Sequence, residues 1–184
     1  MVDNLIQSVQ DATKDAPKSI NWYRDKIREF GKPGALDLIR DGRRTTRPSA
    51  FNLNMFVYDP KYKKTLPYYD TFPLVLPLER YSDGFLGLNF HYLPIPLRVR
   101  LLDKINTIPE DNQYSERDQL RISYARASTI PMAKAVIKRY LYSHLKSQIR
   151  VVSPDEWVIA VLLPVQRFKK ASTSKVYNET KKLF

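Results

Sequence analysis

Cysteine is missing from this chain altogether. Disulfides, zinc–thiolate centres and thiol catalysis are thereby excluded, and a reducing compartment fits. Histidine is nearly as scarce, with only His91 and His144, far apart in the sequence. Two isolated imidazoles with no acidic cluster beside them read as packing or hydrogen-bonding residues rather than metal ligands or bases. Glycine numbers only five, against thirteen prolines. Proline fixes φ and removes a backbone donor, so stiff, extended connections are expected. No apolar run approaches the ~20 residues needed to span a bilayer. The opening MVDNLIQSVQ has an early acid and no long apolar region, unlike a secretory signal. The expectation is therefore synthesis in the cytosol, with no membrane partner.

What the chain has in excess is positive charge. Its 184 residues carry 31 Lys and Arg against 19 Asp and Glu, a formal charge of +12. Such a surface attracts polyanions: nucleic acid, acidic membranes or acidic protein neighbours. The length suits one domain with attached arms. Residues 1–48 read as a helical N-terminal arm and basic connector, 49–168 as a core domain, and 169–184 as a basic C-terminal tail.

The densest patterning lies in residues 51–93, FNLNMFVYDPKYKKTLPYYDTFPLVLPLERYSDGFLGLNFHYL. Residues 52–58 read as a strand closed by Asp59-Pro60, and residues 62–69, with their lysines and Pro67, as a loop. Residues 72–78 form a second strand, which Pro73 and Pro77 assign to an edge or a bulge. Ser82-Asp83-Gly84 marks a hairpin turn, and residues 85–93 a third strand with one buried face. Upstream, residues 2–12 and 19–30 each place apolar side chains on one helical face. Downstream, Pro96 launches a helix of about ten residues, with Leu97, Leu101, Leu102 and Ile105 inward. Residues 110–120 are polar and expected to be exposed. Pro131 opens what reads as the strongest helix, running to about residue 147. Ser153-Pro154-Asp155-Glu156 has capping-box grammar, but residues 157–165 are so rich in β-branched side chains that a strand is expected. Residues 167–184 are expected to form an arm. The fold class is α+β: a short antiparallel β-meander over about 52–93, covered by helices.

Catalytic grammar is weak. Carboxylates occur singly, and Asp59 and Asp83 are turn residues. A metal nuclease needs several acids converging on one site, and the spacing of Asp59, Asp70 and Lys63 is not specific for one. There is no phosphate-binding glycine loop, nucleophile elbow or dinucleotide fingerprint. The reading is a non-enzyme without cofactor or metal. The basic clusters are the remaining functional signal. Arg40, Arg43, Arg44 and Arg47 crowd one connector, and Lys61, Lys63 and Lys64 sit beside Tyr62, Tyr68 and Tyr69. Lys138 and Arg139 are expected on a helix face, and Lys169 and Lys170 open the tail. Basic residues interleaved with tyrosine suit phosphate contact with stacking. They equally suit docking onto acidic protein neighbours, with Trp22, Tyr23, Tyr68 and Tyr69 as interface candidates.

Three longer strings carry a resemblance: MFVYDPKYKKTLPYYDTFPLVLPLE, DGFLGLNFHYLP and KRYLYSHLKSQIRVVSPDEWVIAVLLPVQRF. With the SINWY patch at residues 19–23, they resemble small virion proteins of T-even-type contractile-tailed bacteriophages and their marine relatives. The role this implies is that of a DNA end protector, a head-completion protein seated on the genome terminus near the head–tail passage. The resemblance implies other virion proteins and double-stranded DNA as partners, no small-molecule substrate, and a final location in the virion. The alternative is a tail, neck or baseplate component that makes only protein contacts.

Overall fold

The computed structural model describes residues 43–106, 115–152 and 156–184. The expected N-terminal helices, with Trp22 and Tyr23, and Arg40 lie outside the described residues. The fold is α+β, built on a six-stranded sheet of order β1-β7-β2-β4-β5-β6. Its strands are β1 (Arg44–Thr45), β2 (Leu53–Met55), β4 (Leu74–Arg80), β5 (Gly84–Asn89), β6 (Ile137–Leu141) and β7 (Ile149–Val152). A second, two-stranded pairing joins β3 (Tyr69–Asp70) to β8 (Phe168–Lys169). Every pairing is antiparallel.

The expected meander is the centre of this sheet. Strand β4 lies between β2 and β5, so it is not an edge; the bulge alternative is the one that holds. The β4–β5 register shifts between Pro77 and Glu79, which accommodates the missing proline donor. Pro77 faces Gly87 across the ladder, and a Cβ on Gly87 would overlap the Val75 side chain. The hairpin closes where the turn signal places it, with Tyr81 N–H donating to the Gly84 carbonyl at 2.8 Å.

The sheet is buried on both faces, not one. Leu53, Met55, Leu74, Leu76, Leu78 and Leu88 face the helices in the main core. Phe56, Tyr58, Val75, Phe85, Tyr140 and Ile149 form an aromatic cluster on the other side. There Phe56 meets Tyr140 edge-on at 5.2 Å and Phe85 stacks on Tyr140 at 5.3 Å. Each such ring pair adds roughly 0.5–1.5 kcal/mol beyond its area.

The covering helices are α1 (Ile95–Asn106), α2 (Glu116–Thr129), α3 (Pro131–Ala135), α4 (Trp157–Leu162) and α5 (Thr173–Lys181). Helix α1 meets its expectation, with Leu101, Leu102 and Ile105 buried and Leu97 packed against the core. Helix α2 begins inside the stretch expected to be polar and exposed, and residues 115–118 are exposed as expected, with Leu120 turned inward. Ser115 caps it by accepting from Asp118 N–H, and only the narrow stripe Leu120, Ser123 and Ala127 is buried.

Three further expectations are corrected. The long helix from Pro131 stops at Ala135, and β6 follows, pairing with β5 from Gly84 to Leu88. The apolar spacing at 136, 137, 140 and 141 fits both periods, and the open edge of β5 decides for the strand. Residues 157–162 are helical where a strand was expected; α4 packs on α1, and Trp157 Nε1–H donates to the Val152 carbonyl at 3.0 Å. The C-terminal segment is no free arm. Strand β8 pairs with β3, and α5 docks through buried Val176 and Thr180.

Candidate nucleic-acid interface

On the aromatic side of the sheet the chain after β2 turns at Asp59-Pro60 into a loop over residues 60–68, returning through β3. The loop is held internally by Leu66 N–H to the Tyr62 carbonyl at 3.0 Å and by the Lys63–Asp59 ion pair at 2.9 Å. It is held externally by Lys170, whose ammonium donates to the carbonyls of Lys63 (2.9 Å), Lys64 (2.9 Å) and Leu66 (2.6 Å). Three donors meet three acceptors, which uses up that ammonium's hydrogen-bonding capacity. Lys170 adopts a left-handed backbone (φ 70°), which aims it at the loop from β8.

Between this loop and edge strand β6 lies a cleft of about 550 Å³. Its rim carries Lys61, Tyr62, Tyr68 and Tyr69 on one side and Lys138 and Arg139 on the other. Tyr58, Asp70, Tyr92 and Tyr140 line its depth. Lys138 sits opposite Gly87 on β5, the position without a side chain, and lies over the Tyr92 ring at 4.4 Å. Burial pushes its ammonium below the ordinary lysine value. Arg139 forms an ion pair with Asp83 and stacks over Tyr81 at 3.9 Å. Lys61 lies 5.3 Å from the Tyr62 ring, which is 62% exposed.

Beneath the cleft Asp70 organises a buried polar network. Its Oδ1 accepts from the Phe72 and Arg167 amides at 2.9 and 3.0 Å. Its Oδ2 takes the His91 Nδ1 contact at 2.9 Å and Asn89 Nδ2 at 3.4 Å. Asn89 Nδ2 also donates to the Tyr140 hydroxyl at 3.1 Å. Asp70 is therefore a structural acceptor, while Asp59 is paired on the surface with Lys63. His91 and His144 are both hydrogen-bonding residues, His144 through Nδ1 to the Asp59 carbonyl at 2.8 Å. Among the described residues no three His, Asp or Glu side chains are grouped to hold a metal.

The structure thus gathers Lys61, Tyr68, Tyr69, Lys138 and Arg139 around one cleft. Lys169 stands beside its rim, in register with Tyr69. Lys138 and Arg139 reach it from a strand, not from the helix face expected. Lys63 and Lys170 build the wall, and exposed Lys64 rides on it. Arg43, Arg44 and Arg47 lie elsewhere, just before, on and just after β1. There Arg43 donates to Ser49 Oγ at 3.1 Å and Arg47 covers Tyr142 at 4.8 Å. Sequence reasoning missed Tyr58, Tyr92 and Tyr140 as lining residues, because each belongs to an element that reads as core. It also passed over Arg117 and Arg121, which line a separate hollow of about 750 Å³ between β4 and α2. Their four-residue spacing beside Tyr124 was the available signal.

No curated protein and no solved structure matches the chain. The family described as Phage T4 terminal DNA protecting protein matches residues 1–183. With that match over nearly its whole length, the chain belongs to the bacteriophage terminal DNA protecting family.

Proposed function

We propose that the basic–aromatic cleft and its rim are where this DNA end protector meets the genome terminus. Lys61, Lys64, Lys138, Arg139 and Lys169 supply the phosphate contacts, and the tyrosines of the rim supply stacking. The observation that supports this most is the convergence of the 60–68 loop and β6, from distant parts of the chain, on one mouth where cations alternate with rings. Phosphate contacts of this kind position a protein without reading sequence, so the cleft can hold a DNA end whatever its bases. Arg43, Arg44 and Arg47 extend the contact along the duplex. Protection is by occlusion: the protein covers the end, and no bond is made or broken. The family favours this over a tail or baseplate role, and the remaining surface meets neighbouring virion proteins during head completion in the host cytoplasm.

The test is binding of the purified full chain to blunt linear DNA and to a covalently closed circle, followed by an exonuclease challenge. The expected result is end-dependent binding that blocks the exonuclease and leaves the DNA intact when magnesium or manganese is added. Equal binding to circle and linear DNA, with no protection, would remove the end-protector reading for this chain.

A further inference from the structure

We infer that the cleft takes an unpaired nucleotide at the DNA terminus, its base against the tyrosine rings and its phosphate on the lysines of the mouth. This rests on the end-binding reading above and adds which chemical form of the end is held. Size is the first argument. A volume of about 550 Å³ lies within the roughly 300–1,000 Å³ of small-ligand sites. A duplex, whose major groove alone is about 12 Å wide, cannot enter such a space. One splayed nucleotide can.

Charge is the second argument. Asp83 engages Arg139, and backbone carbonyls engage Lys170. Lys138 faces the cleft with an ammonium whose contacts are the Tyr92 face and a long 3.5 Å approach to the Ala135 carbonyl. Among the described residues no carboxylate forms an ion pair with it or with Lys61, so both cations are left for an incoming anion. Polarity also changes with depth. The cations Lys61 and Lys138 lie at the mouth, whereas the tyrosine rings of Tyr58, Tyr92 and Tyr140 line the depth. That gradient places phosphate outside and the flat face of a base inside. Tyr62 stands at the mouth with most of its ring open to solvent, where burial against a base is favourable.

The experiment uses the full chain and duplexes that are blunt or carry short 3′ or 5′ single-stranded extensions, with 2-aminopurine as the terminal unpaired base. The closed circle is the end-free control. An extended end should bind about tenfold tighter than a blunt one, the effect of roughly one stacked base. Its 2-aminopurine emission should be quenched. The surface variant Tyr62→Ala and the mouth variant Lys61→Gln should each bring the ratio of extended to blunt affinity close to one, whether or not Lys138→Gln folds. Equal affinity for blunt and extended ends, both above the circle, would overturn the cleft assignment while leaving end protection standing. No preference for any end over the circle would remove both.

Discussion

Asp70 is fully buried, and burial alone would raise its carboxyl. The His91 ring and the amides of Phe72 and Arg167 outweigh that and hold it below the ordinary aspartate value. His91 is lowered too: burial depresses its ring, ahead of the opposing pull of Asp70. The consistent state at neutral pH is an ionised Asp70 and a neutral His91 whose Nδ1–H donates to it. His91 Nε2 is then left buried without a partner. Both shifts make acid destabilising. As the pH falls below the ordinary histidine value of 6.5, the unfolded chain takes up a proton that folded His91 refuses. The Asp70 contribution is full above the ordinary aspartate value and is lost as the pH falls through its lower folded value. Urea midpoints should therefore decline steadily from about pH 6.5 downward. Asp70→Asn should cost about 3 kcal/mol at pH 7, the scale of charge-assisted hydrogen bonds lost from a buried site. It should also make the acid limb below pH ~4 shallower, since the Asp70 carboxylate no longer titrates and surface-paired acids such as Asp59 and Glu179 remain. A variant with the unchanged midpoint would contradict this account of the network.

Among the elements, α5 shows how a segment poor in apolar residues can be held. Its apolar anchor is essentially Val176, yet it is docked, because Arg98 reaches it from α1. The Arg98 guanidinium is completely buried and donates to the Leu93 carbonyl at 2.7 Å and the Leu163 carbonyl at 3.1 Å. It also reaches Gln166 Oε1 and the Tyr177 hydroxyl, both at 2.9 Å. Burial lowers its proton affinity, but an arginine remains charged in this setting. One side chain thus joins α1, the stretch following α4, and α5. Arg98→Met should destabilise the fold by about 3 kcal/mol, since it strips donors from several buried acceptors, each left unsatisfied at a cost of roughly 1–3 kcal/mol less what relaxation recovers. Tyr177→Phe should cost about 1.5–3 kcal/mol, and the loss should be local. Hydrogen exchange should show the α5 amides opening faster in Tyr177→Phe while those of β4 and β5 keep their protection. Unchanged exchange in α5 would mean that Val176 and Ser172, which caps the helix by accepting from Lys175 N–H, suffice to hold it.

For the whole molecule, the number of phosphates neutralised, rather than the net charge of +12, sets the salt dependence of a DNA complex. With all the basic residues proposed above engaged, the log–log slope should be about −7. The fold divides the lysines into two kinds. Replacing Lys61, Lys64 and Lys169 by glutamine should each lower the slope by about one. Replacing Lys63 or Lys170 should act chiefly through the loop those ammonium groups hold. Equal slope changes for both sets would mean that the charge acts as a diffuse field rather than as contacts at the cleft. Read by itself, the chain determined what depends on near neighbours. The Ser82-Asp83-Gly84 hairpin, the Pro96 helix and the two hydrogen-bonding histidines follow from local rules, and the family follows from contiguous strings such as DGFLGLN. The tertiary structure alone decided whatever depends on distant partners. Residues 137–141 are a strand because β5 offers an edge, although their spacing also fits a helix. Strand β4 is central because β2 and β5 flank it, despite its prolines. The C-terminal segment folds because a buried arginine some 80 residues upstream meets Tyr177. The cleft forms for the same reason: Lys61 and Lys138 share one mouth only once β6 has paired, and no local pattern encodes a contact between residues so far apart.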